Sequence, residues 1–137
     1  MIWLLRLLFI GILVTMSALI GWASWQQPIF GIPAEVRTNP WFIATLFDAY
    51  FAFITFYVWV AWKEPTIGAR ILWFITVILW GNFAMAIYLL IELFRIKDIA
   101  QLREVIATPR DGRLRLPLAF VITGALAYAL GAGPLFS

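Results

Sequence analysis

Four stretches of the chain stay apolar long enough to cross a bilayer, which takes ~20 mostly apolar residues. They cover residues 3–24, 41–62, 71–93 and 118–135. Polar residues, Pro and Gly gather between them in short blocks. The first block, "WQQPIFGIPAEVRTNP", holds Pro28, Gly31, Pro33 and Pro40, which break any helix. Asn39 suits an N-cap, and Pro40 suits the first position of the second helix. The second block, "WKEPTIGAR", is short, with Pro65 and Gly68 turning the chain so that helices two and three run antiparallel. The third stretch, "ILWFITVILWGNFAMAIYLLIEL", reads as one continuous helix. A charged segment follows, "RIKDIAQLREVIATPRDGRLRLP". Ile99, Leu102 and Ile106 share one helical face there, which predicts a short amphipathic helix over 95–107 lying in the membrane interface. The pattern predicts an all-α fold, a four-transmembrane-helix bundle forming one integral membrane domain over residues 1–137.

Small residues mark packing faces. Gly11, Ser17, Ala18 and Gly21 lie on helix one; Ala125, Ala129 and Gly133 recur every fourth position on helix four, as do Ala127 and Gly131. The tryptophans fit the spans. Trp22, Trp25 and Trp41 fall at one predicted interface, Trp3, Trp59, Trp62 and Trp73 at the other, and Trp80 in the middle. Helix one carries Arg6 and a Gly21-Trp22-Ala23-Ser24 patch, a partial match to a signal peptide. Its apolar run exceeds a signal core, so we read a retained helix.

Composition strengthens the membrane reading: 64% of the 137 residues are hydrophobic and 12% charged, against about a quarter charged in soluble domains. There is no Cys and no His, which excludes disulfides, thiol catalysis, thiolate metal sites and the usual haem ligand. No cofactor is expected. No basic-aromatic surface points to nucleic acid. Four spans place Arg6, Lys63 and Arg70 on one side. Arg37, Arg95, Lys97, Arg103, Arg110, Arg113 and Arg115 lie on the other. The richer side is predicted to be cytoplasmic, with both termini outside. We expect a bacterial inner membrane with the basic loop 94–117 in the cytoplasm. Arg95, Lys97, Arg103, Arg110, Arg113 and Arg115 are then candidate contacts for anionic lipid headgroups or for a partner.

One carboxylate sits inside helix two. Asp48 shares a face with Trp41, Thr45, Ala52, Thr55 and Trp59, and this polar, small-residue stripe is expected to point into the bundle. Asn82 on helix three is the expected hydrogen-bond partner, with Thr45 or Tyr50 helping and Tyr88 further along. Asp48, Asn82, Thr45, Thr55 and Tyr88 form the candidate intramembrane polar site, either functional or a register-setting bond. Glu92 is expected to pair locally with Arg95. Arg6 is expected to snorkel to the headgroups.

The stretch "NPWFIATLFDAYFAFITFYVWVAWKEP" followed by "RILWFITVILWGNFAMAIYLL" resembles a family of small integral membrane proteins of unknown function found in bacteria and plants. The "ATLFDAY…TFYVWV…KE" core carries the likeness, and Gly81-Asn82 adds to it. The charged segment and helix four lie outside it. The resemblance implies a polytopic membrane protein with Asp48 in the core pattern, and it implies no activity. No His box, paired acidic motif or Ser–His arrangement supports an enzyme. The expected function is that of a non-catalytic accessory subunit or assembly factor of a larger membrane complex, in contact with the bilayer and with a membrane-protein partner or a second copy. The alternative is a small proton- or ion-coupled transporter, or an apolar-ligand-binding protein, working as a homo-oligomer through Asp48.

Overall fold

The computed structural model describes residues 1–132; residues 133–135 of the fourth predicted span, with Gly133, lie outside the described residues. The described residues are helical, with no strand. The helices are α1 (Ile2–Gln26), α2 (Ala34–Arg37), α3 (Pro40–Lys63), α4 (Ile67–Trp80), α5 (Asn82–Arg95), α6 (Leu102–Ala107) and α7 (Arg115–Gly131). Single 3-10 turns lie at Ile29–Gly31 and Ile99–Gln101.

Two helices, α1 and α3, are long and apolar enough to cross a membrane. The start of α3 is as the sequence predicts. Asn39 Oδ1 accepts from the Trp41 N–H at 2.9 Å and from the Phe42 N–H at 3.3 Å, with Pro40 first in the helix. At the next turn Thr66 Oγ1 accepts from the Ala69 N–H at 3.2 Å and starts α4.

The third predicted span is not one helix. It breaks at Gly81, which takes φ 51° and ψ −128°, a conformation that a side chain strongly disfavours. A Cβ there would also lie 2.6 Å from Phe53 Cζ on α3. The chain reverses, and α5 runs back along α4. Trp73 of α4 meets Tyr88 of α5 edge to face at 4.8 Å. Each leg has 14 residues, so the hairpin rises only about 21 Å, against about 36 Å for α3.

This reversal redraws the two ends of the molecule. Lys63 at the end of α3 reaches Glu92 at the end of α5. The start of α1 lies beside the end of α5, where Arg6 Nη2 donates to the carbonyls of Leu93 (2.9 Å) and Ile96 (2.7 Å). From there α7 runs parallel to α4. Thr76 Oγ1 donates to Pro117 O at 3.2 Å, and Trp80 Nε1 to Phe120 O at 2.9 Å. Nine of the ten Lys and Arg residues therefore gather at one end, and only Arg37 lies at the other. The three-against-seven grouping does not match these two ends, because it treated residues 71–93 as one straight helix. Residue 1 sits at the basic end, whereas Gly131, near the end of the described residues, sits at the far end against Ile29.

The segment from Ile96 to Leu114 straps across the basic end. Its predicted amphipathic helix is only the six residues of α6. The apolar stripe faces the protein: Ile99 and Leu102 pack on a core of Ile2, Leu93, Ile96 and Val105, and Ile106 alone of the stripe is exposed. Elsewhere apolar surface is open. Every residue of α1 from Ser17 to Gln26 is exposed.

Candidate functional site

Four charged side chains meet under the strap. Lys63 and Glu64 come from the end of α3 and the residue after it, Glu92 from the last turn of α5, and Arg110 from the strap. Lys63 is 0%, Glu64 1% and Glu92 2% exposed. Lys63 Nζ donates to Glu92 Oε2 and to the carbonyl of Val105. Arg110 Nε lies 3.4 Å from Glu64 Oε1 and 3.3 Å from Glu92 Oε1. Tyr88, one turn before Glu92, donates its hydroxyl to Glu64 Oε1 at 2.9 Å. Two cations thus balance two carboxylates, as burial of charge requires.

Aromatic rings wall the cluster. The Arg110 guanidinium stacks 4.4 Å from the Tyr88 ring, and Lys63 Nζ lies 5.1 Å from the Trp59 ring. Trp59 Nε1 donates to Ile106 O at 3.0 Å, and the Arg110 N–H donates to Lys63 O at 2.9 Å, so backbone bonds also fasten the strap. Burial raises the carboxyl pKa of Glu64 above its ordinary value; the Tyr88 hydrogen bond and Arg110 oppose that rise. Beside the cluster lies a polar pocket of about 130 Å³ lined by Glu92, Arg95, Glu104 and Thr108, which is room enough for water. Two buried donors in the cluster region, Trp73 Nε1 and Arg110 Nη1, have no acceptor among the described residues. The arrangement holds charge and fixes four chain segments together. Among the described residues, no group of three His, Cys, Asp or Glu could hold a metal ion.

The predicted polar site is only partly assembled. Tyr88 is in the buried cluster. Asp48 and Asn82 are both exposed and share no hydrogen bond among the described residues. Thr45 and Thr55 are exposed and donate to carbonyls of their own helix, Trp41 O and Phe51 O, each at 2.8 Å. The reason is helical phase. Phe42, Ala49, Phe56 and Lys63 recur every seventh residue on the inner face of α3, and Phe53 touches the hairpin at Gly81. Asp48, five residues before Phe53, points about 140° away from it. Tyr50 packs edge-on against Phe53 at 5.5 Å.

Glu92 does pair with Arg95, at 3.1 Å, but it also takes Lys63 and Arg110. Arg6 does not snorkel: it is 7% exposed and sits between the rings of Trp3 (4.7 Å) and Phe94 (4.6 Å). Of the six predicted headgroup contacts, Arg110 is withdrawn into the cluster. Arg95 is half exposed, and Lys97, Arg103, Arg113 and Arg115 are exposed. Lys63 and Glu64 were not among the predicted site residues, and Arg110 was assigned to headgroups or a partner. The available signal was two adjacent charges closing an apolar helix, with Tyr88 and Glu92 four apart on one face.

Comparison with curated proteins and with solved structures finds no match. A family model described as "Protein of unknown function (DUF1475)" matches residues 2–129. That match reaches past the resemblance in helices two and three to include the strap and most of α7, and so the cluster as a whole. The chain belongs to the DUF1475 family, whose function is unknown.

Proposed function

We propose that the protein is a multi-pass integral membrane protein that works as a non-catalytic subunit or assembly factor of a larger membrane complex, docking through the Asp48 face of α3. The observation that carries this reading is the exposure of Asp48 on an apolar helix. Exposed Leu46, Phe47 and Phe51 surround it, as a lipid-facing or partner-facing helix requires. Asp48 lies eight residues from Pro40, about 12 Å along the helix axis. A charge at the centre of a membrane helix costs about 3 kcal/mol against lipid, less toward the ends, and a hydrogen-bonding partner removes the cost. The inward-facing carboxyl groups already have partners in the ion cluster, which leaves Asp48 for an outside one. The basic end, with nine cations, is the cytoplasmic end in this reading, and a bacterial inner membrane is the proposed setting.

The chain has no Cys, so single cysteines report cleanly. Ala52→Cys, one turn from Asp48, is expected to cross-link to a distinct membrane protein, while Val58→Cys is not. Asp48→Leu should abolish that adduct and Asp48→Asn should keep it. An adduct only with a second copy would favour the homo-oligomeric transporter, in which Asp48→Asn abolishes pH-dependent flux. No adduct at Ala52→Cys would defeat the docking proposal.

A further inference from the structure

At the end of the molecule away from the ion cluster, α1, α4 and α7 line an open-sided cavity of about 590 Å³. That lies within the ~300–1,000 Å³ range of small-molecule sites. Leu79 and Trp80, the last residues before the hairpin tip, contribute to it, with Ala127 from α7 and Ile29 from the turn after α1. Trp80 Nε1 is occupied by Phe120 O, and Tyr128 donates its hydroxyl to Leu79 O at 3.2 Å, so these two groups offer the cavity little but apolar surface. Glycine lets the walls close: a Cβ at Gly124 would lie 2.7 Å from Trp80 Nε1. Polar groups enter from the end of α1, where Ser24, Gln26 and Gln27 line the cavity.

Charge narrows the ligand. No Asp, Glu, Lys or Arg lines this cavity among the described residues. Nothing there neutralises a phosphate, whereas amides and a hydroxyl can hydrogen-bond a neutral oxygen. Non-helical backbone at membrane depth also has to be buried in protein or to line a cavity, and the turn at Gly81 follows directly on Leu79 and Trp80. We propose that the cavity binds one neutral amphipathic lipid, its chain against Leu79, Trp80 and Ile29 and its hydroxyl or ester head at Ser24, Gln26 and Gln27. This rests on the reading that α1 crosses the membrane.

The test is native mass spectrometry of the full chain equilibrated in detergent micelles with diacylglycerol or with phosphatidylglycerol of the same chains. Wild type should retain one diacylglycerol, with about tenfold preference over phosphatidylglycerol. Ala127→Trp, which projects an indole into the cavity, should lower that retention about tenfold with helix content unchanged by circular dichroism. Ala127→Met serves if the larger side chain prevents folding. Equal retention of the two lipids, or retention unaffected by filling, overturns the proposal. Alkaline carbonate extraction of native membranes separates the two readings. Release of the wild-type protein overturns the membrane reading and the lipid site with it, whereas a membrane-retained protein that holds no diacylglycerol overturns the lipid site alone.

Discussion

Lys63→Met tests the ion cluster as a unit. Lys63 is the one cation on Glu92 Oε2 and also supplies the donor to Val105 O; Glu92 Oε1 keeps Arg95 and Arg110 at 3.1 and 3.3 Å. Breaking a buried pair from one side costs about 3–5 kcal/mol, because the remaining charge stays buried. The two surviving cations put this case at the low end, about 3 kcal/mol. For a chain of this size that is a fall in Tm of about 10 °C. The assay is thermal unfolding in detergent, followed by circular dichroism, of Lys63→Met, Glu92→Leu and the double variant. The two sites share a contact, so the double variant should recover about 2 kcal/mol relative to the sum of the singles. Strict additivity, or a Lys63→Met Tm within experimental error of wild type, would refute the reasoning.

Three further outcomes follow from other parts of the fold. Gly81→Ala should destabilise by about 2–4 kcal/mol, from backbone strain and the contact with Phe53. Adding Phe53→Leu should recover only the steric share, and full recovery in a melt would show that φ is not the constraint. Arg6→Leu removes a charged donor from Leu93 O and Ile96 O and should cost about 2 kcal/mol, read as faster amide exchange in the first turns of α1. The raised Glu64 carboxyl means that the folded state holds a proton more tightly than the unfolded chain. Its contribution to stability is full below the ordinary value of 4.5 and is lost as pH rises through the raised folded value. Glu64→Gln should flatten that part of a Tm–pH profile, and an unchanged slope would assign the pH dependence elsewhere.

Helix starts and apolar lengths were readable in the sequence because they depend on neighbours along the chain. Asn39 with Pro40, and the long runs of α1 and α3, needed no tertiary information. The hairpin was not readable in the same way. The apolar run passes through Gly81 without interruption, and a lone glycine is ordinary in a membrane helix. The reversal shows only in tertiary contacts, such as Phe53 at Gly81, Trp73 with Tyr88 and Lys63 with Glu92. Missing it exchanged the ends of α5, and so separated Lys63 and Glu64 from Glu92 and Arg110. Asp48 was misplaced for a related reason. Its threonine neighbours suggested a polar inner stripe, but Phe42, Ala49, Phe53 and Phe56 set the inner face. Both hydroxyls are satisfied within α3 and need no neighbour.

Neutrality in the cluster is completed in the order of synthesis. Lys63 and Glu64 leave the ribosome first, then Glu92, and Arg110 last. Until Arg110 arrives, these four positions carry one positive and two negative charges, although the Val105 carbonyl that Lys63 holds is already made. The hairpin can form early, but the basic end closes only after the strap has been translated, with α7 close behind. A nascent chain halted before Arg110 therefore leaves Glu64 without its cation, while Lys63 and Arg95 still pair with Glu92. Chaperones or proteases that read incomplete chains would meet that form first.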